Sequence, residues 1–210
     1  MTVAKRLFQA EPALGNCVFN FRGSPKNEFG VYASAYWRAA KILVGQMARA
    51  RGYRDTDACP IVFCYRHAAE LYMKQILITG GSILSLENKK GAPAELFVEH
   101  ELGLFLAEVK RVIKAVGWDW KESSKEMAIL KSVKGFLREL DDIDPRSTTF
   151  RYPTKRKGEA SLLPHFTFNV IEFAEKFDEF LAVLDAACTG LQAEWDERAE
   201  AWAASVKAKA

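Results

Sequence analysis

The sequence predicts an all-α protein, a bundle of four or five helices. Apolar residues recur at helical spacing in five segments, alternation of apolar and polar residues is scarce, and the connections are mostly short. Of the 210 residues, 49% are hydrophobic and 12% are aromatic, which is enough to bury a core. We expect an N-terminal arm over residues 1–27, including a short extended run at 17–21, a helical bundle over 28–195 and a charged helical tail over 196–210.

Glycine and proline set the limits of the first two helices. The first helix is predicted over residues 28–51, and Gly52 ends it. Its apolar face comprises Tyr32, Tyr36, Ala39 and Leu43. The second helix begins near Pro60, because proline is tolerated in a first helical turn, and Gly80-Gly81 stops it after Thr79.

Three more helices follow. The third is predicted over residues 94–116, and the fourth begins at Ser123, whose spacing to Glu126 is that of a capping box. Pro145 ends the fourth helix, because the residue before a proline avoids helical backbone. The fifth helix is predicted over residues 168–195. The apolar faces of these helices comprise Leu102, Leu106, Val109 and Ile113; Leu130, Val133, Leu137 and Leu140; and Val170, Phe173, Phe177, Phe180, Leu184 and Leu191.

Charge and composition exclude several classes of protein. The net charge of +3 gives no argument for a nucleic-acid partner, so any basic patch must be local. No leader sequence and no apolar stretch of about 20 residues is present, which predicts a cytoplasmic protein without a membrane partner. The four cysteines and three histidines lack metal-ligand spacing, so we expect buried free thiols and neither a metal nor a cofactor.

A polar stripe on the second helix is the first candidate site. At about 100° per residue, Arg66, His67, Glu70 and Lys74 fall within one stripe on a helix that is otherwise apolar on most sides. A helix of that kind is central, so its charges are partly enclosed and need partners. The stripe could bind a ligand or perform catalysis. It could equally consist of pairs four residues apart that stabilise the helix.

Two further groups of polar residues are candidates for chemistry. His100, near the start of the third helix, could reach the stripe of the second helix across the bundle or could be a surface or capping histidine. Asp141, Asp142 and Asp144 end the fourth helix, where carboxylates oppose the helix dipole and need compensation. The basic residues that follow could provide it, namely Arg146, Arg151, Lys155, Arg156 and Lys157.

The connection over residues 145–164 is polar, basic and irregular. Phe150 and Tyr152 flank Arg151 there, and a basic cluster continues to Lys157. Arginine and lysine beside aromatic rings suit phosphate contacts and base stacking, although such a run can also be a solvated loop. The two aromatic residues predict that this loop folds back on the bundle.

Three pieces of the chain resemble the HEPN superfamily of small helical proteins, which are common in prokaryotic toxin–antitoxin and phage-defence systems. They are residues 63–74 (FCYRHAAELYMK), 100–102 (HEL) and 150–153 (FRYP), which occur in that order. The resemblance implies a four- or five-helix bundle, usually a homodimer with facing clefts. It also implies either a metal-independent ribonuclease or a module that binds nucleotides, nucleic acids or partner proteins.

The spacing of arginine and histidine favours the binding module. The ribonucleases of this superfamily carry an arginine followed after four to six residues by a histidine. Here Arg151 precedes His165 by fourteen positions, and Arg66 and His67 are adjacent. The favoured hypothesis is therefore a module that binds a nucleotide, nucleic acid or other anionic ligand. Its candidate contacts are Arg66, His67, Glu70, Lys74, Arg151 and Tyr152.

Two alternatives remain open. One is a divergent ribonuclease in which a histidine transfers protons and arginines stabilise the charge that develops on phosphate. Its candidate catalytic residues are His67, Arg66, His100 and Arg151. The other is a structural or assembly protein, in which the stripe on the second helix only fixes helix register.

Overall fold

The computed structural model describes residues 17, 28–49, 54–118 and 124–207. The α-helices in those residues are α1 (Phe29–Arg49), α2 (Ala58–Leu86), α3 (Leu102–Val116), α4 (Lys125–Ile143) and α5 (Val170–Lys207). Short 3-10 helices at Asp55–Asp57 and Ala94–Val98 lead into α2 and precede α3. The prediction of an all-α protein is confirmed.

α2 is the central helix of the bundle, as its nearly uniform apolar character predicts. It packs against α1, α3 and α5, while α4 packs against α3 and α5. Nineteen of its 29 residues are buried. The apolar faces predicted for α3, α4 and α5 are buried in full. On α1 the buried positions are instead Ala33, Ala40 and Met47, and Tyr32 is exposed.

Asp178 ties three helices together at one level of the core. Its Oδ1 atom accepts hydrogen bonds from Trp37 Nε1 at 2.6 Å and from Tyr65 Oη at 3.0 Å. Tyr65 also packs against Phe173 and Phe177, with ring centroids 6.0 and 5.7 Å apart. Aromatic pairs of this kind add about 0.5–1.5 kcal/mol each beyond the burial of their area. The register of α2 against α5 is therefore fixed beside the polar stripe.

The end predicted for the second helix is wrong. α2 runs through Gly80-Gly81 to Leu86. A Cβ atom at Gly80 would lie 2.4 Å from Val112 Cγ1, so the glycine lets α3 approach the middle of α2 closely. Glycine here serves helix packing rather than helix termination.

Two other helix starts differ from the prediction. The segment predicted as one third helix contains the short 3-10 helix, an extended turn at 99–101 and then α3. The N-cap of α4 is Ser124, whose Oγ accepts a hydrogen bond from Met127 N at 3.1 Å. The cap is therefore one residue later than the predicted Ser123, which lies outside the described residues.

The two ends of the chain are described in part. The predicted extended run at 17–21 lies outside the described residues except for Cys17, which is exposed rather than buried. α5 continues unbroken through Trp195, where the prediction ended the fifth helix, and its residues 201–207 are exposed. No helix within the described ranges combines the length and the apolar character needed to cross a bilayer.

Candidate functional site

The polar stripe of α2 is enclosed and internally paired, as predicted. Arg66, Glu70 and Lys74 are 0%, 3% and 7% exposed. Lys74 Nζ donates to Glu70 Oε1 at 2.8 Å, and Arg66 Nη1 lies 3.6 Å from Glu70 Oε2. Lys74 also lies over the ring of Phe105, 5.3 Å from its centroid. These charges are held by one another and by the core.

Arg66 reaches across the bundle to the ends of two other helices. Its Nη2 donates to the carbonyl oxygen of His100 at 2.7 Å and to that of Asp144 at 2.9 Å. Its Nε lies 3.5 Å from Asp144 Oδ2. Burial lowers the pKa of Arg66, and Asp144, Glu70 and Asp141 counteract that effect. Arg66 is thus a clamp between the segment that precedes α3 and the segment that follows α4.

Asp141 joins α4 to the first turn of α3. Its two carboxylate oxygens accept hydrogen bonds from Leu102 N at 2.9 Å and Gly103 N at 2.8 Å, which satisfies two free N–H groups of that turn. Arg66 Nη2 lies 3.7 Å from the same carboxylate. Burial raises the pKa of Asp141, although these partners work in the opposite direction. Arg66, together with backbone N–H groups, therefore compensates the acidic end of α4.

His100 does meet the stripe, through Glu70. Its Nδ1 lies 3.2 Å from Glu70 Oε1, while 46% of its side chain is exposed. A buried carboxylate that binds one ring nitrogen fixes the orientation of an imidazole and leaves the other nitrogen available. This is the arrangement in which a histidine can exchange a proton with a ligand.

His67 lies on the flank of the stripe among aromatic rings. It stacks on Phe63 with centroids 5.4 Å apart, and the edge contact with Tyr36 has centroids 4.6 Å apart. Burial lowers the pKa of His67, and the charges of Lys74, Arg151 and Arg66 lower it further against the opposing effect of Glu70. Burial and these cations therefore favour the neutral form of the His67 imidazole.

Arg151 connects this region with the loop after α4. Its guanidinium lies over the ring of Phe63, 5.3 Å from the centroid, and 5.7 Å from the centroid of Tyr152. Its Nε donates to the carbonyl oxygen of Ser147. The residue is nevertheless exposed. Arg151 thus presents a fixed cation that shares one aromatic ring with His67.

The loop after α4 is built around Asp144. The Oδ1 atom of Asp144 accepts hydrogen bonds from Thr148 N at 2.6 Å and Thr149 N at 2.9 Å. Phe150 is 8% exposed and packs edge-on against Phe168, so the loop does fold back on the bundle as predicted. Tyr152, in contrast, is 56% exposed.

A tight turn organises the rest of the loop. An isolated bridge pairs Thr154 with Ala160, and Lys155 N donates to the carbonyl oxygen of Glu159 at 2.7 Å. Gly158 supplies the positive φ of 82° that this turn requires. The basic side chains of the loop therefore project from an internally bonded backbone.

This loop and the end of α4 enclose a basic cleft of about 850 Å³. Five basic residues and two acidic residues line it, which leaves a formal excess of three positive charges. That excess equals the net charge of the whole chain. Its charged lining residues are Arg146, Arg151, Lys155, Arg156 and Lys157 with Asp142 and Glu159, and Tyr152 adds an exposed ring.

The predicted site residues thus fall into two groups. The structure brings Arg66, Glu70 and Lys74 together inside the bundle, and His100, which is half-exposed, joins them through Glu70. Arg151 and Tyr152 line the cleft instead, and Phe63 joins Arg151 to His67. The sequence indicated the remaining basic residues of the cleft as compensation for the aspartates and as a cluster suited to phosphate contacts, but not individually as site residues. Their density over residues 146–157 was the available signal that they form a site.

Across the described ranges, no three His, Cys, Asp or Glu side chains lie together in a way that could hold a metal ion. Of the aspartates that end α4, Asp141 and Asp144 contact Arg66 and backbone N–H groups.

Comparison of this chain with protein-family models, with curated proteins and with solved structures finds no match. The fold and the geometry of the site are therefore the basis for a functional proposal.

Proposed function

We propose that this protein is a HEPN-like helical module that binds a nucleotide, nucleic acid or related ligand through its phosphates in the basic cleft. The observation that carries the proposal is the excess of three positive charges around one exposed tyrosine. Guanidinium groups pair with phosphate oxygens in a forked geometry, and an aromatic ring stacks on a base of any sequence. Both kinds of contact are available in one cleft.

The rigidity of the loop supports binding. Ordering a flexible loop on binding costs conformational free energy that a preorganised loop does not lose. Here Asp144 holds the first turn of the loop, and Phe150 anchors its middle. The stripe of α2 then has a structural role, since it holds Asp144 and His100 in place, and the cleft contacts the ligand.

The resemblance to the HEPN superfamily supports the same proposal. All three resembling segments contribute to the region described above, since α2 supplies Arg66, the 100–102 segment supplies His100, and the 150–153 segment supplies Arg151. On this proposal the chain works as a homodimer in a prokaryotic defence or toxin–antitoxin setting, where a partner protein is a further possible ligand.

Binding can be tested by fluorescence anisotropy with a labelled 2′-O-methyl uridine oligomer of about ten nucleotides, within the range of about 4–16 nucleotides known for single-strand sites. Arg151→Ala should weaken binding by about 10- to 100-fold, since a hydrogen bond to a charged group contributes about 1.5–3 kcal/mol. Lys114→Ala, an exposed lysine of α3, is the matched control and should leave binding unchanged. Equal affinity of wild type and Arg151→Ala would refute the proposed site.

The contact between His100 and Glu70 favours a second candidate function, ribonuclease activity. His100 would take the proton of a ribose 2′-hydroxyl, and the 2′ oxygen would attack the adjacent phosphorus. The bond from phosphorus to the 5′ oxygen would break, with water supplying a proton to the departing oxygen. Because Arg66 Nη2 binds the carbonyl oxygens of both His100 and Asp144, this histidine lies beside the start of the loop.

Incubation of the protein with mixed cellular RNA in EDTA tests this candidate. If His100 acts as the general base, His100→Ala should lower the cleavage rate by at least about 100-fold. His165→Asn replaces an exposed histidine of the loop and should retain full cleavage. Intact RNA after incubation with the wild-type protein would count against ribonuclease activity and leave the binding proposal standing.

A further inference from the structure

The outward face of α4 carries three basic side chains in line. Lys131, Lys134 and Arg138 are exposed, and their spacing of three and four residues places them within about 60° of one another around the helix. The buried face of the helix, which comprises Leu130, Val133, Leu137 and Leu140, is centred about 110° from these cations around the helix. The three cations therefore form one stripe along the exposed surface of α4.

This α4 stripe leads into the basic cleft. Asp142 follows Arg138 by four residues, so it lies on the same face one turn further along the helix. Asp142 and the next residue, Ile143, both line the cleft. At about 1.5 Å per residue, the face from Lys131 to Asp142 spans about 16 Å before the cleft begins.

The surface of α4 beside the stripe carries short side chains. Gly135 lies on this face, and a Cβ atom placed there would meet no atom within 4 Å. Exposed Ala128, about 20° from Gly135 around the helix, continues the same side with a short side chain. A ligand that follows the α4 stripe can thus approach the helix closely. Glu139 points about 100° away from Arg138, so its carboxylate does not interrupt the stripe.

We propose that the α4 stripe and the cleft form one track for a single-stranded nucleic acid of several nucleotides, rather than a pocket for a mononucleotide. The inference rests on the proposed function, because the cleft is the end of the track. A row of cations that follows a backbone, joined to an aromatic platform for bases, is the arrangement that single strands require. Asp142, at the junction, opposes phosphate and weakens the track at that point.

The track can be tested with the ten-nucleotide 2′-O-methyl oligomer and with uridine monophosphate. The double variant Lys134→Ala/Arg138→Ala should weaken binding of the oligomer at least about tenfold and leave binding of the monophosphate unchanged. Each lost phosphate contact should also reduce the slope of log affinity against log salt by about 0.7, or about 1.4 for the pair. Lys125→Ala is the control, because nine residues separate it from Lys134 and place it on the opposite side of α4.

A second variant is expected to gain affinity, which a variant that fails to fold would not do. Asp142→Asn removes the negative charge between the α4 stripe and the cleft, so it should tighten binding of the oligomer. Oligomer affinity that is unchanged in both the double variant and Asp142→Asn would overturn the track while leaving the cleft proposal intact. A wild-type protein that binds neither probe would overturn the cleft proposal and the track together.

Discussion

Arg66 and Asp144 are joined twice, through the backbone and through the side chain. Arg66 Nη2 donates to the carbonyl oxygen of Asp144 at 2.9 Å, and Arg66 Nε lies 3.5 Å from its carboxylate. The same carboxylate receives the N–H groups of Thr148 and Thr149, which form the first turn of the basic loop. A buried arginine of the central helix thereby fixes the position of an exposed basic loop.

Loss of this clamp should destabilise the fold. Arg66→Ala leaves the carboxylates of Glu70, Asp141 and Asp144 without their shared cation, and removing one partner of a buried ion pair costs about 3–5 kcal/mol. Urea unfolding should show a loss of that size. Lys176→Ala breaks an exposed pair with Glu172 and should change the free energy of unfolding by less than about 1 kcal/mol.

The same variant should also loosen the loop. Trypsin cleaves after the lysines and arginine at 155–157, and their susceptibility reports the order of the turn. Arg66→Ala should be cut there faster than the wild type under conditions in which both are folded. A variant that keeps wild-type stability and wild-type resistance to trypsin would show that Arg66 is not a clamp.

His67 should make stability depend on pH. Its pKa is lowered in the folded state, chiefly by burial, so the unfolded chain binds the proton more tightly. The stabilisation is complete above the unfolded pKa of about 6.5 and is lost as pH falls from there towards the lowered folded pKa. Lys74, Arg151 and Arg66 contribute to the lowering, and Glu70 opposes it.

His67→Phe removes that titration and keeps a ring against Phe63 and Tyr36. Urea unfolding at pH 7.5 and pH 5.5, which are about one unit on either side of the unfolded pKa, measures the difference. The wild type should lose more stability than His67→Phe between the two values. Equal losses would show that His67 does not carry the pH dependence.

Substitution of alanine for two helical glycines should change the stability of the fold in opposite directions. Gly80→Ala would place a Cβ atom 2.4 Å from Val112 Cγ1, and overpacking of a core costs about 1–3 kcal/mol. Gly135→Ala meets no atom within 4 Å and should gain the helix preference of alanine, about 0.5–1 kcal/mol. Thermal unfolding of both variants decides the matter. Stabilisation by Gly80→Ala would contradict the close approach of α3.

Tyr152 should act through its ring rather than its hydroxyl. Stacking of a base on an aromatic side chain contributes about 1–3 kcal/mol, so Tyr152→Ala should weaken binding of the oligomer by about 5- to 150-fold. Tyr152→Phe retains the ring and should bind with nearly wild-type affinity. If both variants bind like the wild type, the exposed ring takes no part in recognition.

Much of the fold could be predicted because helical periodicity is a local signal. The buried faces of α3, α4 and α5 could be predicted because apolar residues recur every three or four positions along each helix. Leu106, Leu137 and Phe177 are examples, one from each helix. The end of α2 could not be predicted, because the reason for Gly80 is Val112 on another helix. A glycine pair by itself is equally typical of a helix end and of close helix packing.

The candidate site was predictable to a similar extent. The enclosed stripe of α2 follows from the spacing of Arg66, Glu70 and Lys74 on an apolar helix. The carbonyl groups of His100 and Asp144, which accept hydrogen bonds from Arg66, lie 34 and 78 residues away along the chain. Nothing local to α2 indicates these two partners. The sequence therefore identified the charges but not their role as a clamp, and the exposed cleft became apparent only with the structure.

We propose that the ligand contacts the cleft between residues 145–161 and the end of α4. Photo-crosslinking with a thiouridine-substituted oligomer, followed by mass spectrometry of the peptides, locates that contact directly. Crosslinks are expected within residues 142–161, including Tyr152, and they should be lost when unlabelled oligomer competes. Crosslinks confined to other surfaces, or crosslinks that Arg151→Ala leaves undiminished, would contradict this proposal.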